Sequence, residues 1–450
     1  MEIIQTTQIM TKIIIKTLVL FILLLTSISI TYSQNSTENV SLTPNSKIEI
    51  VNSISQLLLD NYAYSDTAKL MSKFILKQLA DGNYKSIGDP IKLTDALNDD
   101  ISSIVKDGHF QIIYNPIFEK QLLDKNFILP RITNQVNFRN HNSGIRSIKI
   151  LNGNIGLLEM GNFVDTSYKS KEAIKSALTF LPNTNAIIFD FRNNGGGSLE
   201  MVHLITSYFF EHKIHLCDRY SRPANKLTEY LTTPDTSEKR FLNKPVFVLT
   251  TNSTGSAAEE FAYNLKVLKR ATIIGQITCG AAHGTFERSA TNGVVIYIPY
   301  SRIINFVTKT DWEHSGVIRD INVSPEKSLE IAQEKIFEEL LKTTTDSANL
   351  FELNWQYELL KANNNPLTVG QESLMRFCGV FGERTFTIEN GELYYQRLGK
   401  PKFKMTAMTN TMFKGNDFFK IEFIKNLNGN YDELVAYYQD RRVEKAKRTK

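Results

Sequence analysis

The sequence predicts an α/β protein with a small helical unit before the main domain and a small all-β unit after it. Three observations carry this. Between residues 168 and 325, apolar strand-like runs alternate with helix-length segments, the pattern of a sheet with parallel pairs and crossover helices. Residues 46–107 instead repeat apolar positions at helical spacing,. Residues 370–443 alternate apolar and polar positions around Asn-Gly turns,. A chain of 450 residues is too long for one ordinary core, and 42% hydrophobic with 22% charged residues is a globular composition,.

The first segment, residues 1–33, reads as a secretory signal peptide. Lys12 and Lys16 precede the apolar run TLVLFILLLTSISI at 17–30, and Thr31 and Ser33 suit a cleavage site before Gln34,. Fourteen apolar residues are short of the ~20 that a span needs,. The expected location is therefore exported, periplasmic or secreted, with an N-terminal membrane anchor as the alternative. Cys217, Cys279 and Cys378 form no disulfide framework, and no CxxC or His/Cys spacing points to zinc,. Neither a metal nor a cofactor is expected. The net charge of +5 gathers in RRVEKAKRTK, with six Lys/Arg against one Glu. Residues 444–450 read as a solvated basic tail rather than a nucleic-acid patch.

The helical unit covers 40–108. Ile48, Val51, Ile54, Leu57 and Leu58 open it, then TAKLMSKFILKQLADG ends at Gly82 and KLTDALNDDISSIVKDG at Gly108. Residues 109–325 form the α/β core, with 109–165 read as a strand lead-in through FQIIY and NIGLLEM. Within the core, SKEAIKSALTFL, SLEMVHLITSYFF and AAEEFAYNLKVL are helical, while AIIFDFR, PVFVLTT, ATIIGQ and VVIYIPYSRI are strands. Residues 326–366 read as a loosely packed helical linker ending at NNNP. Residues 367–443 form the β meander, with hairpin turns at Asn390-Gly391 and Asn428-Gly429.

Two strand-to-helix junctions carry the chemistry. KPVFVLTTNSTGSAAEEFAYNL places Ser256 at a tight turn after a buried strand, with Gly255 before it and small Ala257 and Ala258 after it. IIFDFRNNGGGS places Gly195, Gly196 and Gly197 where backbone N–H groups can face a developing negative charge,. Each has a plain structural reading. Ser256-Ala-Ala-Glu259 is a helix capping box, and three glycines make a flexible turn. Together they are the nucleophile and the oxyanion site of an acyl-transfer centre. Asp190 and Arg192, flanking the glycines, read as a charge-assisted pair that holds the loop.

A serine hydroxyl needs a neighbouring base. His203 lies on an apolar helix and reads as packed, and His141, His212 and His215 sit in polar surroundings. His109 in KDGHF, His283 in CGAAHGT and His314 in DWEHSG are the candidates, and spacing alone does not choose among them. Glu313 is a candidate to orient the ring, with an ordinary surface acid as its plain reading.

At this point residues 50–325 resemble the tail-specific, C-terminal-processing serine peptidases. The resemblance is nearest to the branch that includes the tricorn core and the interphotoreceptor retinoid-binding proteins. It rests on motifs in order: the helical region ending in Asp-Gly-His-Phe, the IIFDFRNNGGGS turn, TGSAAEEFAYNLKVLKRATIIGQITCG, and WEHSGVIRDINV. It implies a crotonase/ClpP-like core. The lysine of the Ser–Lys branch would fall at Ala281 in TCGAAH, so the resemblance points to the Ser-His-Glu branch instead. Carried over by position, Ser256 is the nucleophile, His109 the general base and Glu313 its orienting group. Gly196 and the N–H of Ala257 form the oxyanion hole, supported by Gly195. Gln276 and Arg319 depart from the usual glutamate and proline. The peptide-binding module usual between the helices and the core is missing.

The expected function is an exported serine endopeptidase with a polypeptide substrate, no nucleic-acid partner and no membrane span after signal cleavage. The alternatives are a non-catalytic protein binding a lipophilic ligand or peptide on the same fold, and a hydrolase of non-peptide acyl bonds.

Overall fold

The computed structural model describes residues 41–124, 142–235 and 239–449. The signal-peptide segment and His141 lie outside them. The helical unit packs α1 (Pro44–Asn61), α2 (Ser65–Ala80) and α3 (Pro90–Ser102). Thr43 caps α1 and Asp89 caps α3, and these two helices have proline in the first turn, where the missing N–H costs nothing,. Ile50, Ile54, Leu58, Met71, Ile75, Leu93, Leu97 and Ile101 fill its core.

Two sheets follow. The first is antiparallel and joins β1 (Gln111–Tyr114), β10 (Val294–Asn305), β5 (His215–Ser221) and β6 (Lys226–Leu231), with β9 (Gly284–Ser289) also on β10. The second has six strands in the order β11 (Ile321–Asn322), β8 (Thr272–Gly275), β7 (Val246–Thr250), β4 (Ala186–Asp190), β3 (Ile155–Met160) and β2 (Ile145–Leu151). It is parallel except for β2 against β3. All ten residues of β4 and β7 are buried, which is why both read as unbroken apolar runs. One face carries α5 (Tyr168–Thr179), α6 (Leu199–Ser207) and α7 (Ala257–Val267), whose apolar side chains close around Phe189, Phe191 and Phe261.

The other face is covered by α8 (Pro325–Thr343), with α9 (Ser347–Asn364) packed beside it. This corrects the loosely packed linker. Ala332, Ile336, Phe337 and Leu353 are buried in one cluster with Ile155, Ile188, Phe247 and Ile274 of the sheet.

The strand lead-in also differs. Asn115 caps a helix, α4 (Pro116–Leu123), by accepting from the Phe118 N–H, and Pro116 starts it, so the local cap chemistry outweighs the apolar alternation. The C-terminal unit comprises α10 (Gln371–Met375), a four-stranded sheet from β12 (Gly379–Phe381) to β15 (Phe403–Lys404), and a five-stranded sheet from β16 (Thr406–Ala407) to β20 (Val443–Lys447). The run read as a solvated basic tail supplies β20, paired with β19 (Tyr431–Tyr438). Val443, Lys445 and Lys447 alternate with half-buried Glu444 and Ala446, so the charges lie on the open face of an edge strand,. Among the described residues, no helix is long and apolar enough to cross a membrane.

Candidate active site

β4 and β7 are parallel neighbours, so their carboxyl ends bring the two signal turns side by side,. Backbone and hydroxyl bonds stitch them together. The Thr251 hydroxyl donates to the Arg192 carbonyl at 2.6 Å, the Thr254 hydroxyl to the Phe191 carbonyl at 2.7 Å, and the Gly255 N–H to the Asn194 carbonyl at 3.0 Å. Arg192 grips Asp190 through two bonds of 2.9 and 2.5 Å and donates to the Pro325 carbonyl at 2.7 Å. The pair thus ties the glycine turn to the start of α8.

Ser256 stands at the N-terminus of α7 with φ 50° and ψ −119°, a backbone conformation that costs an L-residue about 1–3 kcal/mol. The fully buried Glu259 carboxylate holds it there. One oxygen accepts from the Ser256 N–H at 2.8 Å and the Ala281 N–H at 2.9 Å; the other accepts from the Gly280 N–H at 2.7 Å and the Thr278 hydroxyl at 2.5 Å. The helix-cap reading and the functional one therefore describe the same residues, since the acid that braces the serine also braces the 278–281 turn opposite it.

Glycine is required at two positions of the turn. Gly196 has φ 110°, and a Cβ there would lie 2.7 Å from Ser256 Cβ and 2.9 Å from Ala257 N. Gly197 has φ 132°, and its Cβ would lie 2.0 Å from the Phe163 carbonyl oxygen. Gly195 meets no such obstacle. Ala257 begins α7, so its N–H has no acceptor within the helix. The Gly196 N–H, by contrast, already donates to Asn194 Oδ1 at 2.9 Å.

His109 and Ser256 line one cavity of about 340 Å³, together with Gly197, Glu260, Ala281, His283 and Trp312 among others. His109 does not end a helix, since α3 stops at Ser102. It stands in the turn before β1, where its backbone N–H donates to Asp107 Oδ1 at 3.0 Å. Its Nδ1 is buried without a partner. Burial pulls its pKa below the ordinary 6.5, with Asp107 opposing and His283 assisting,.

The structure does not join Glu313 to His109. Glu313 Oε2 accepts from the Ala282 N–H at 2.6 Å and lies 3.6 Å from His283 Nδ1, while Oε1 is buried, accepts no hydrogen bond from the described residues and lies 3.9 Å from His314 Nδ1. Burial raises its pKa, His283 opposes that, and Asp107 adds to it. His283 Nδ1 is hydrogen-bonded to Asp107 Oδ2 at 2.7 Å, and the Tyr62 hydroxyl donates to the same oxygen at 3.0 Å. Burial disfavours the His283 cation, but the Asp107 bond and charge outweigh it and raise its pKa. Burial likewise works against the Asp107 anion, and the same bonds overcome it. His314 is half exposed at the edge of this cluster, its Nδ1 3.9 Å from Glu313 Oε1.

Asp107 and Asn194 were not distinguished by sequence reasoning, and His283 was left unresolved among three histidines. The available signals were an acid two residues before His109 and a side-chain amide just before the glycines.

A family model described as peptidase family S41 matches residues 154–323. A second, described as the N-terminal domain of Peptidase_S41 in eukaryotic IRBP, matches residues 38–134. The carboxyl-terminal-processing peptidase 2, chloroplastic, of Arabidopsis thaliana is 28% identical over 150 residues, which is 32% of this chain. The match spans only 27% of that relative's length. Among solved structures, a putative peptidase from Parabacteroides merdae is 22% identical with TM-score 0.44, covering 63% of this chain and 90% of its own. The photosystem II D1 C-terminal processing protease is 14% identical with TM-score 0.42, covering 63% and 94%. The chain carries the domain of peptidase family S41, a family of serine peptidases, over residues 154–323 and the N-terminal domain of that family over residues 38–134.

Proposed function

We propose that this chain is an exported serine endopeptidase in which Ser256 attacks the peptide carbonyl and His109 takes its proton. The observation that carries this is the shared cavity. A serine in a strained, braced turn faces the same space as a half-buried imidazole whose pKa is lowered, so that it is neutral and free to accept a proton at neutral pH,. Attack by Oγ breaks the carbonyl π bond and places negative charge on the oxygen. The N–H groups of Ala257 and Gly196 are the donors for it, the latter once Asn194 lets go. Collapse breaks the C–N bond, and the amine leaves with the proton held by His109. Water then repeats the cycle, returning the serine and releasing a carboxylic acid.

Glu313 is the orienting group in this reading. His109 Nδ1 and Glu313 Oε1 are both buried and make no hydrogen bond among the described residues, and a bond between them would satisfy both and fix the ring. That bond forms when substrate draws the site closed. A second reading is favoured by one observation. His283 already has a carboxylate on Nδ1 and a buried, unpartnered Nε2, the arrangement of an oriented base.

Fluorophosphonate labelling of purified protein tests both. Labelling lost in Ser256→Ala and His109→Gln, but retained in His283→Gln, supports the first reading. Loss in His283→Gln with retention in His109→Gln selects the second. A wild type that does not label refutes the hydrolase reading and leaves a binding protein on the same fold.

A further inference from the structure

Behind the Ser256 cavity, three elements converge on a cluster that the peptidase chemistry does not use. His203 comes from α6, Cys217 from β5 and Glu260 from α7. All three are buried, and Glu260 has no exposed surface. His203 Nε2 lies 2.6 Å from Glu260 Oε1, Cys217 Sγ lies 3.7 Å from the same oxygen, and one ligand atom from each falls within 4.8 Å of the others. The second Glu260 oxygen is buried with no partner.

We propose that His203, Cys217 and Glu260 form a binding site for a transition-metal dication of the zinc type. Three arguments converge. An imidazole, a thiol and a carboxylate are the donor set that zinc takes, and hard cations that prefer all-oxygen cages do not. A dication held by one thiolate, one carboxylate and a neutral imidazole is a net-neutral unit, the form in which burial is least costly. The metal also gives the stranded Glu260 oxygen a partner, removing a penalty that hydrogen bonds within the cluster leave in place.

Glu260 borders the cavity that holds Ser256, one helical turn further along the same helix, so the substrate space is the route from which an ion would enter. A water from that cavity, or the second Glu260 oxygen, completes the fourth position. Without metal, burial and the neighbouring Glu260 charge push the Cys217 thiol far above its usual range. Binding therefore expels the thiol proton, and affinity rises with pH. No sequence motif announces the site, because its ligands lie 14 and 43 residues apart in the chain.

Among the described residues, two other clusters bring three such side chains together. Asp107, His283 and Glu313 are engaged in the active-site hydrogen bonds described above. His215, Asp218 and Glu229 lie on the less buried β5–β6 pair.

The test is Co(II) titration of the chelator-stripped full chain. One equivalent should give a thiolate-to-cobalt charge-transfer band in the near ultraviolet with tetrahedral visible bands, all displaced by Zn(II). The charge-transfer band should vanish in Cys217→Ser. The apparent Kd should rise at least tenfold in His203→Gln and in Glu260→Gln, while Cys279→Ser and Cys378→Ser stay unchanged. A wild type without the band overturns the proposal, as does a band that survives in folded Cys217→Ser. A readout on the unmutated chain stands beside these in case a variant does not fold. Zn(II) should slow iodoacetamide alkylation of Cys217 at least tenfold without changing that of Cys378, and equal rates with and without Zn(II) overturn it too. None of these readouts uses catalytic turnover.

Discussion

Glu259→Gln should separate the brace from the chemistry. The side chain keeps its shape but has one acceptor oxygen where the carboxylate has two. If the new NH₂ takes the place of Oε1, it faces the Gly280 N–H, while the Thr278 hydroxyl can turn to accept. One buried N–H left opposed costs about 1–3 kcal/mol. The bonds from Ser256 and Ala281 survive, but each loses its charge assistance, about 1 kcal/mol apiece. The total is about 3–5 kcal/mol of core stability. The opposite orientation opposes two backbone N–H groups and costs more. A Trp355→Phe background leaves Trp312, buried against Tyr263 and hydrogen-bonded to the Ala281 carbonyl, as the sole tryptophan reporter of the core. Its fluorescence through a urea titration gives the core transition. Fluorophosphonate labelling in the native baseline should slow by about 10², the effect of displacing a reacting group by an ångström. An unchanged urea midpoint with an unchanged labelling rate would refute the argument that Glu259 holds the nucleophile turn.

Three further expectations follow from named contacts. His109 is shifted downward from 6.5, so the wild-type labelling rate should hold through neutral pH and fall only below that value; a profile falling on the alkaline side would be incompatible with His109 as base. His283 is shifted upward, so its folded pKa exceeds its unfolded one. Its stabilisation is therefore complete below the unfolded value near 6.5 and is lost as pH rises through the folded value. The stability gap between wild type and His283→Gln should shrink over that alkaline window, and a gap widening there would show the sign to be wrong. Trp355 is buried at the seam between α9 and the β unit, donating its indole N–H to the Asp417 carbonyl at 2.9 Å. Trp355→Ala should cost about 3–5 kcal/mol there and speed proteolytic release of the C-terminal unit, while Ser256 labelling stays within twofold.

The parallel strands were legible because burial on both faces leaves nothing but apolar residues, and the junctions because glycine and small residues have few other uses beside a serine. Which histidine faces Ser256 was not legible from spacing. Three histidines sat near glycines, and what distinguishes them is burial and the company of Asp107, which His109 meets locally but His283 only through a contact between residues 176 positions apart. The same limit applies to Glu313. Its motif marks the residue but not the atom it meets, and the structure shows it nearer to His283 than to His109. Helix α4 was hidden because one Asn-Pro cap decides it. The last strand was hidden because lysines on an exposed edge look like lysines in solvent.

Strand β10 has a role beyond pairing. Its first half, with Val294, Ile296 and Ile298, is buried among the residues of the helical unit, while Ile303 near its end belongs to the core that surrounds Phe189 and Phe261. Its pairing with β9 slips between Pro299 and Ser301. One strand thus acts as an axle through two bodies, with its weak point midway. The turn that carries His109 leads into β1, which pairs with the first half, and Ser256 is set in the body at the other end. A bend at Pro299 would separate the two residues without melting either body. Heating should therefore slow fluorophosphonate labelling of Ser256 several degrees before the circular dichroism changes, and the labelling rate should return on cooling.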